Sequence, residues 1–480
     1  MSAKAVGSRA AVQQGVLPAA GLLFAGIALV VFRREVLALP AVIFNVLVTV
    51  CFVTGLTVLY RWDRGKRVSL GFMFAAMYGL FHFGIYMALA FGVDLALVQV
   101  GDVSWVDGPW FALAGMYAVL GFFAFVAGYS WIRSRQGAGP VDGLERETAA
   151  DATSRDGNGP VGGIVALLGL TLWLINVVES GVQFGDNYVV YLAKTAGSAI
   201  PWALLLIGLG VAIIGTGTRS LITTMALGAF ACWALLAFAL GLRGEVLIPI
   251  VACFVGRSRR MPVPFGIRRM AVLGILALSL GSVVRVIRVG VWDRSLVLGA
   301  MNPAAGLVEL GYSIRPLMLA VNWRLVDLEP YVGLATYLAP FRRFLMGTLL
   351  GMPVLSVDAD PAVFGGVIGT RVGPVGGSVA AEAYRVGGLL ALVAVLALIG
   401  VIAGWADIWR QGEPLADAAV AMAAFVLLLW IRNDFTPVPF ELVVGLLLLQ
   451  AIRFMAPRSV SRSVARQEEG TIKRRKSVPV

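Results

Sequence analysis

The chain has 480 residues, of which 59% are apolar and only 14% charged, against about 25% charged in ordinary globular domains. That balance excludes a soluble multidomain protein. The formal charge of +12 does not indicate nucleic acid, because the basic residues cluster at the ends of apolar runs, where topology accounts for them. Cys51, Cys232 and Cys253 all sit inside such runs with no metal-ligand spacing, so neither a disulfide framework nor a structural zinc site is expected.

About twelve runs are long enough to cross the roughly 30 Å hydrocarbon core, so the expected fold is all-α: a polytopic membrane protein of about 12 transmembrane helices with one large external loop region. The first run, 15–32, is read as a retained span and not a signal peptide, because a second run, 36–60, follows after only Arg33, Arg34 and Glu35. The basic stretch 61–67 places the end of that second run in the cytoplasm. Asp94, Asp102 and Asp107 mark the next connection as external. Residues 1–132 form a four-span N-terminal region, and 133–160, rich in Gly, Asp and Glu, form a cytoplasmic linker.

The central membrane region, 161–284, contains a short apolar run after Arg243. Pro249 lies near its middle, so a broken helix lining a cavity is expected there. The basic connection 257–269 returns to the cytoplasm. Residues 285–386 form the external region, in which 302–323 reads as one or two amphipathic helices on or just inside the outer surface. Three spans over 387–455 and a basic cytoplasmic tail over 456–480 complete the chain. Both termini are expected in the cytoplasm of a plasma or inner membrane, and the only short connection that breaks the basic-inside bias is Arg33–Arg34–Glu35.

Charge near hydrocarbon is costly, so arginines beside short spans carry information. Arg243 and Arg257 are fourteen residues apart, about 21 Å on a helix, which leaves Arg243 sunk in the outer leaflet. The same arithmetic places Arg285 just below the outer surface, and Arg288 shares its helix face. A guanidinium binds phosphate oxygens through a planar fork, so Arg243, Arg285 and Arg288, with Arg315 and Arg371 of the external region, are candidates for holding a lipid pyrophosphate. Glu245 is placed to neutralise Arg243 or Arg285.

Residues 365–384 read as a glycine-rich loop, with Arg371 in it, running into a helix that begins near Ser378. Gly373 and Gly376 would allow close approach to a bulky polar ligand, with Ser378 and Tyr384 in support. Glu382 lies in the first turn of that helix, a position acids favour on electrostatic grounds alone. His82 is the only histidine and falls mid-span, where a helix-packing role is expected. An external acid/base role therefore falls to carboxylates, Glu382 first and Glu309 second. No motif for a nucleotide, metal or other cofactor is present.

The order LRGEVLIPIV, a basic connection, RVIR, VELGYSIRPL and RVGPVGGSVAAEAY resembles the O-antigen polysaccharide polymerases, the Wzy group of bacterial cell-surface glycan assembly, over about residues 160–455. The resemblance rests on Arg-Gly-Glu, Glu-x-Gly-x-Ser-x-Arg-Pro and Gly-Pro-x-Gly-x-Ser-x-x-x-Glu-Ala-Tyr. After the last motif the family pattern continues with an asparagine and an aromatic, whereas Arg385, Val386 and Gly387 follow here. The resemblance implies transfer of a growing glycan from undecaprenyl pyrophosphate onto a lipid-linked repeat unit at the external leaflet, with no cofactor. Its implied partners are the lipid-linked oligosaccharide and membrane lipids, with a flippase and a chain-length regulator beside them. A ligase that attaches finished chains to another acceptor, and a transporter or flippase of lipid-linked oligosaccharide, are the alternatives.

Overall fold

The computed structural model describes residues 16–63, 68–95, 103–135, 157–183, 186, 188–240, 242–260, 303–373 and 375–455, with a few positions between 272 and 279. All secondary structure among the described residues is helical. The helices are α1 (Leu17–Val31), the short α2 (Arg33–Leu37), α3 (Ala41–Asp63), α4 (Leu70–Ala90), α5 (Pro109–Arg135), α6 (Asn158–Glu179), α7 (Tyr188–Lys194), α8 (Ile200–Ile214), α9 (Leu221–Leu240) and α10 (Arg243–Arg260). After the stretch that contains Arg285 and Arg288, which lie outside the described residues, come α11 (Pro303–Gly311), α12 (Arg315–Leu325), α13 (Ala335–Arg342), α14 (Phe364–Arg371), α15 (Val379–Ile408), α16 (Pro414–Trp430) and α17 (Val438–Met455).

Seven described segments are long and apolar enough to cross a membrane, among them α3, α4, α5, α6 and α15, and α1, α8 and α16 are shorter apolar helices. The chain is therefore an all-α, multi-pass membrane protein. With little hydrophobic drive between helices inside lipid, packing depends on close backbone approach at small residues. A Cβ on Gly210 of α8 would lie 2.5 Å from the Ala166 nitrogen of α6, and one on Gly128 of α5 would collide with the Ala397 carbonyl of α15. Aromatic side chains fill the space between α4 and α5, where Phe74 stacks on Phe125 at 4.7 Å.

Helices α5 and α15 run parallel. Tyr117 meets Tyr384 near the start of both, and the Tyr129 hydroxyl donates to Asp407 near the end of both. Upper denotes the end with Tyr117 and Tyr384, and lower the opposite end. At the lower end the Asp407 carboxylate accepts from Leu70 N (2.7 Å) and Gly71 N (3.0 Å), and so satisfies two amides in the first turn of α4. Arg259 donates to Asp417 (2.7 Å) and to the carbonyls of Ala406 (2.7 Å) and Trp409 (2.6 Å), while Arg260 shares Asp417. The basic ends of α5 and α10 thus converge on one end of the bundle, as the charge pattern predicts.

The segment 303–325 is long and apolar enough to span by length and composition, and its second half lies at the upper end. Gly311 packs on Ile85 near the top of α4, and Trp323 lies beneath Arg371, whose partner Glu329 precedes a loop bonded to Arg385. It is wedged against α4, α5 and α15.

One expectation is corrected. Helix α10 runs unbroken through Pro249, and the broken helix is α15. Gly387 and Gly388 leave helical geometry, with φ +67° at Gly388, a conformation that glycine adopts without strain. The carbonyls of Arg385 and Val386, which lie next to the break, accept from Val332 N (2.9 Å) and Gly333 N (3.2 Å). Satisfying such carbonyls is what makes a break tolerable at membrane depth.

Candidate functional site

The first segment of α15, 379–386, organises the upper end. Ser378 caps it, its hydroxyl accepting from Ala381 N, and the same hydroxyl lies 2.8 Å from His82 Nε2. His82 Nδ1 lies 3.0 Å from the Tyr78 carbonyl. A carbonyl can only accept, so Nδ1 carries a proton, and in the singly protonated ring Nε2 accepts from Ser378. The only histidine packs inside the bundle as expected, and it also fixes the start of the helix that carries Glu382.

Glu382 is 1% exposed. Trp430 Nε1 donates to its Oε2 at 3.0 Å, and the Phe435 N–H lies 3.0 and 2.9 Å from Oε1 and Oε2. These donors belong to the end of α16 and the loop 431–437, so the carboxylate clasps that loop. Trp430, Phe435 and Tyr337 of α13 close an aromatic wall around it, with Tyr337 4.9 Å from Phe435. The Tyr337 hydroxyl is buried without a hydrogen-bond partner.

Asp434, in the same loop, is close enough to Glu382 for their charges to repel, and it is half-buried. Its Oδ2 accepts from Thr436 Oγ1 (3.1 Å) and Gly365 N (3.3 Å). Burial pushes its carboxyl above the ordinary value, partly offset by those bonds. Near it, on the first turn of α17, Glu441 keeps one carboxylate oxygen buried and without a partner. The glycine-rich stretch expected as a loop is helical over Phe364–Arg371; beyond it a Cβ on Gly377 would lie 2.5 Å from Asp434 N, and Gly376 faces the Arg432 carbonyl. Its close approach is to the chain's own loop. Gly373 and Gly376 both take positive φ there.

Arg371 pairs with Glu329 and lies 4.7 Å from the centroid of the Trp323 ring. Arg385 lies 4.9 Å from the Phe364 ring, donates to the Pro361 carbonyl at 3.4 Å, and buries Nη1 without a partner. Arg315 sits apart, 5.7 Å from the Trp105 ring. Glu309 is on α11, the helix that packs on α4. Arg243 opens α10 and Glu245 is half-buried in its first turn. Arg432 Nη1 would lie 3.1 Å from a Cβ on Gly244, so the start of α10 adjoins the loop that Glu382 holds. Of the expected site residues, the structure thus gathers Arg371, Ser378, Glu382, Gly376 and Tyr384 around one segment, with the start of α10 beside it.

Sequence reasoning missed Tyr337, Trp430, Asp434 and Phe435. The short polar interruption Arg432–Asn433–Asp434 between the last two apolar runs was the available signal. Only the tertiary contact joins it to Glu382.

A family model described as O-antigen polysaccharide polymerase Wzy matches residues 21–456. No curated protein and no solved structure matches the chain.

Proposed function

The chain belongs to the O-antigen polysaccharide polymerase Wzy family, and from that premise we propose that it transfers a growing glycan from undecaprenyl pyrophosphate onto the sugar of an incoming lipid-linked repeat unit at the external face of the cytoplasmic membrane. The upper end is the external end in this reading, and the lower end, with the basic ends of α5 and α10, is cytoplasmic. A flippase and a chain-length regulator are its expected neighbours.

In the reaction, the acceptor hydroxyl loses its proton to a base and its oxygen bonds to the anomeric carbon. The bond from that carbon to the diphosphate oxygen breaks, and the carrier diphosphate leaves with the electron pair. Positive charge is needed where that negative charge develops. Arg371 and Arg385 flank the first segment of α15 for this purpose, with Arg243 and Arg432 at the adjoining start of α10. Arg285, Arg288 and Arg315 are further candidates for the same carrier. The observation that carries the reading is the buried Arg385 Nη1, which has no hydrogen-bond partner within the chain although Glu329 and Glu382 lie within charge range. Leaving such a donor without a partner costs about 1–3 kcal/mol, a cost that an anionic substrate would offset.

Two neighbouring carboxylates compete for the role of base. Glu382, expected from the sequence, has both oxygens engaged and is sealed from solvent. Asp434 is half-buried and its pKa is pushed up, which strengthens it as a proton acceptor. The geometry favours Asp434 as base and Glu382 as the residue that positions its loop.

Purified protein supplied with lipid-linked repeat units separates these roles. Asp434→Asn is expected to bind substrate and fail to elongate it. Glu382→Gln, which keeps size and one acceptor oxygen, is expected to retain partial activity. Inactive Glu382→Gln with active Asp434→Asn would return the base role to Glu382, and loss in Glu309→Gln alone would move it to α11. Cysteine labelling tests the orientation: position 327 should react from outside intact cells and position 135, exposed at the lower end of α5, should not.

A further inference from the structure

Tyr384 and Arg385 are adjacent in sequence but meet different partners on α15. Arg385 faces Phe364 and Pro361, the side already described. Tyr384 faces α5 and the loop after α12. Its ring lies 5.5 Å from Tyr117 and 6.3 Å from Tyr331, with the Tyr331 hydroxyl in bonding contact.

Two arginines complete this second face. Arg324 lies 4.5 Å from the Tyr331 ring, and Arg33 of α2 interacts with the Tyr117 hydroxyl. Arg33 belongs to the one short connection whose basic residues break the charge bias of the other loops. Positive charge on the translocated side is disfavoured, so its presence there calls for a local reason. Tyr117 is 2% exposed, and Arg33 is the partner that its buried hydroxyl requires.

The break in α15 opens onto the same place. A Cβ on Gly388 would lie 2.6 Å from the Tyr331 hydroxyl, so that hydroxyl sits at the point where the helix restarts. The carbonyls before the break are covered by Val332 and Gly333. A restarting helix presents first-turn amides without intrahelical acceptors and the positive end of its dipole, an arrangement that favours anions.

We propose that Arg33, Arg324 and the hydroxyls of Tyr117, Tyr331 and Tyr384, at the break in α15, form a second diphosphate subsite for a lipid carrier, distinct from the one at Arg371 and Arg385. This rests on the polymerase reading, in which two lipid-linked chains are joined and two carrier diphosphates must be held at once. Arginine forks and phenol hydroxyls are both suited to phosphate oxygens. Arg33 is exposed at the edge of the bundle, on the short helix after the peripheral α1, where a headgroup can enter sideways while its tail stays in lipid.

The test is binding, read by native mass spectrometry and titration of the purified full chain in nanodiscs, with unglycosylated undecaprenyl diphosphate as probe and phosphatidylglycerol as competitor. The wild type is expected to hold two probe molecules. Arg33→Ala and Tyr117→Phe should each weaken one of the two by about tenfold, the effect of losing one hydrogen bond to a charged group. Arg33→Lys should restore binding only in part, because it loses the fork. Tyr117→Phe removes one oxygen from a packed ring and Arg33 is on the surface, so both proteins should fold. Two undiminished equivalents in both variants overturn the proposal, as does phosphatidylglycerol displacing the probe equally well, which would make this a general headgroup site. Binding of two equivalents by a protein that elongates nothing would sink the polymerase reading and leave the subsite standing.

Discussion

The two ends of the bundle treat buried polarity in opposite ways. At the lower end, Asp407 accepts two amides and a tyrosine hydroxyl, while Arg259 divides its donors among Asp417 and two carbonyls. The upper end keeps buried polar atoms without hydrogen-bond partners: Trp105 Nε1, Arg315 Nε, Thr336 Oγ1, Tyr337 Oη, Arg385 Nη1 and Glu441 Oε2. It also keeps a helix broken at Gly387–Gly388. A folded chain gains nothing in stability from such groups, since each costs about 1–3 kcal/mol. The contrast separates an end whose buried polar groups close on one another from one where several do not.

The largest expected effect tests the lower end. Asp417→Ala leaves Arg259 and Arg260 facing each other with no shared carboxylate, and breaking a buried pair in this way costs about 3–5 kcal/mol. The expected outcome is loss of folded protein in detergent unfolding assays. A variant of normal thermal stability would remove the distinction between the two ends.

Asp434→Asn should do the reverse, lowering elongation by about a hundredfold or more with little change in unfolding temperature. Its pH dependence sharpens the point. A base must be ionised to act, and burial raises the Asp434 pKa, so activity should climb with pH along a limb displaced upward from that of an ordinary aspartate. Asp434→Asn should abolish that limb in whatever activity remains. A limb unchanged in the variant assigns it to another group.

Gly388→Ala probes the break. Alanine would have to take φ +67° with its methyl 2.6 Å from the Tyr331 hydroxyl, so a destabilisation of about 1–3 kcal/mol is expected, together with weaker carrier binding. Stability lost with carrier binding intact would make the break a structural device only. The smallest effect is expected for Arg343→Ala, whose partners are the Leu355 carbonyl and a 3.8 Å contact with Asp360, already held by Arg342. A change within about 0.5 kcal/mol and near-normal elongation are expected, as for surface substitutions generally.

The apolar runs, their lengths and the basic residues that close them were legible in the sequence. Hydrocarbon thickness and the cost of charge act on each run separately, without reference to any other part of the chain. The motif around Glu382 was legible too, because a capped helix start after glycines is a local pattern. The contacts of that motif were not. Trp430 and Phe435 lie 48 and 53 residues from Glu382, and His82 reaches Ser378 across 296 residues. Local sequence also misplaced the broken helix. Proline in α10 removes one hydrogen bond and was absorbed, whereas two glycines in a long apolar run became a break because a distant loop supplied Val332 and Gly333 to the carbonyls beside it. Arg33 shows the division most plainly: the sequence marked it as a charge on the wrong side, and only the packing of α2 on α5 placed it beside Tyr117.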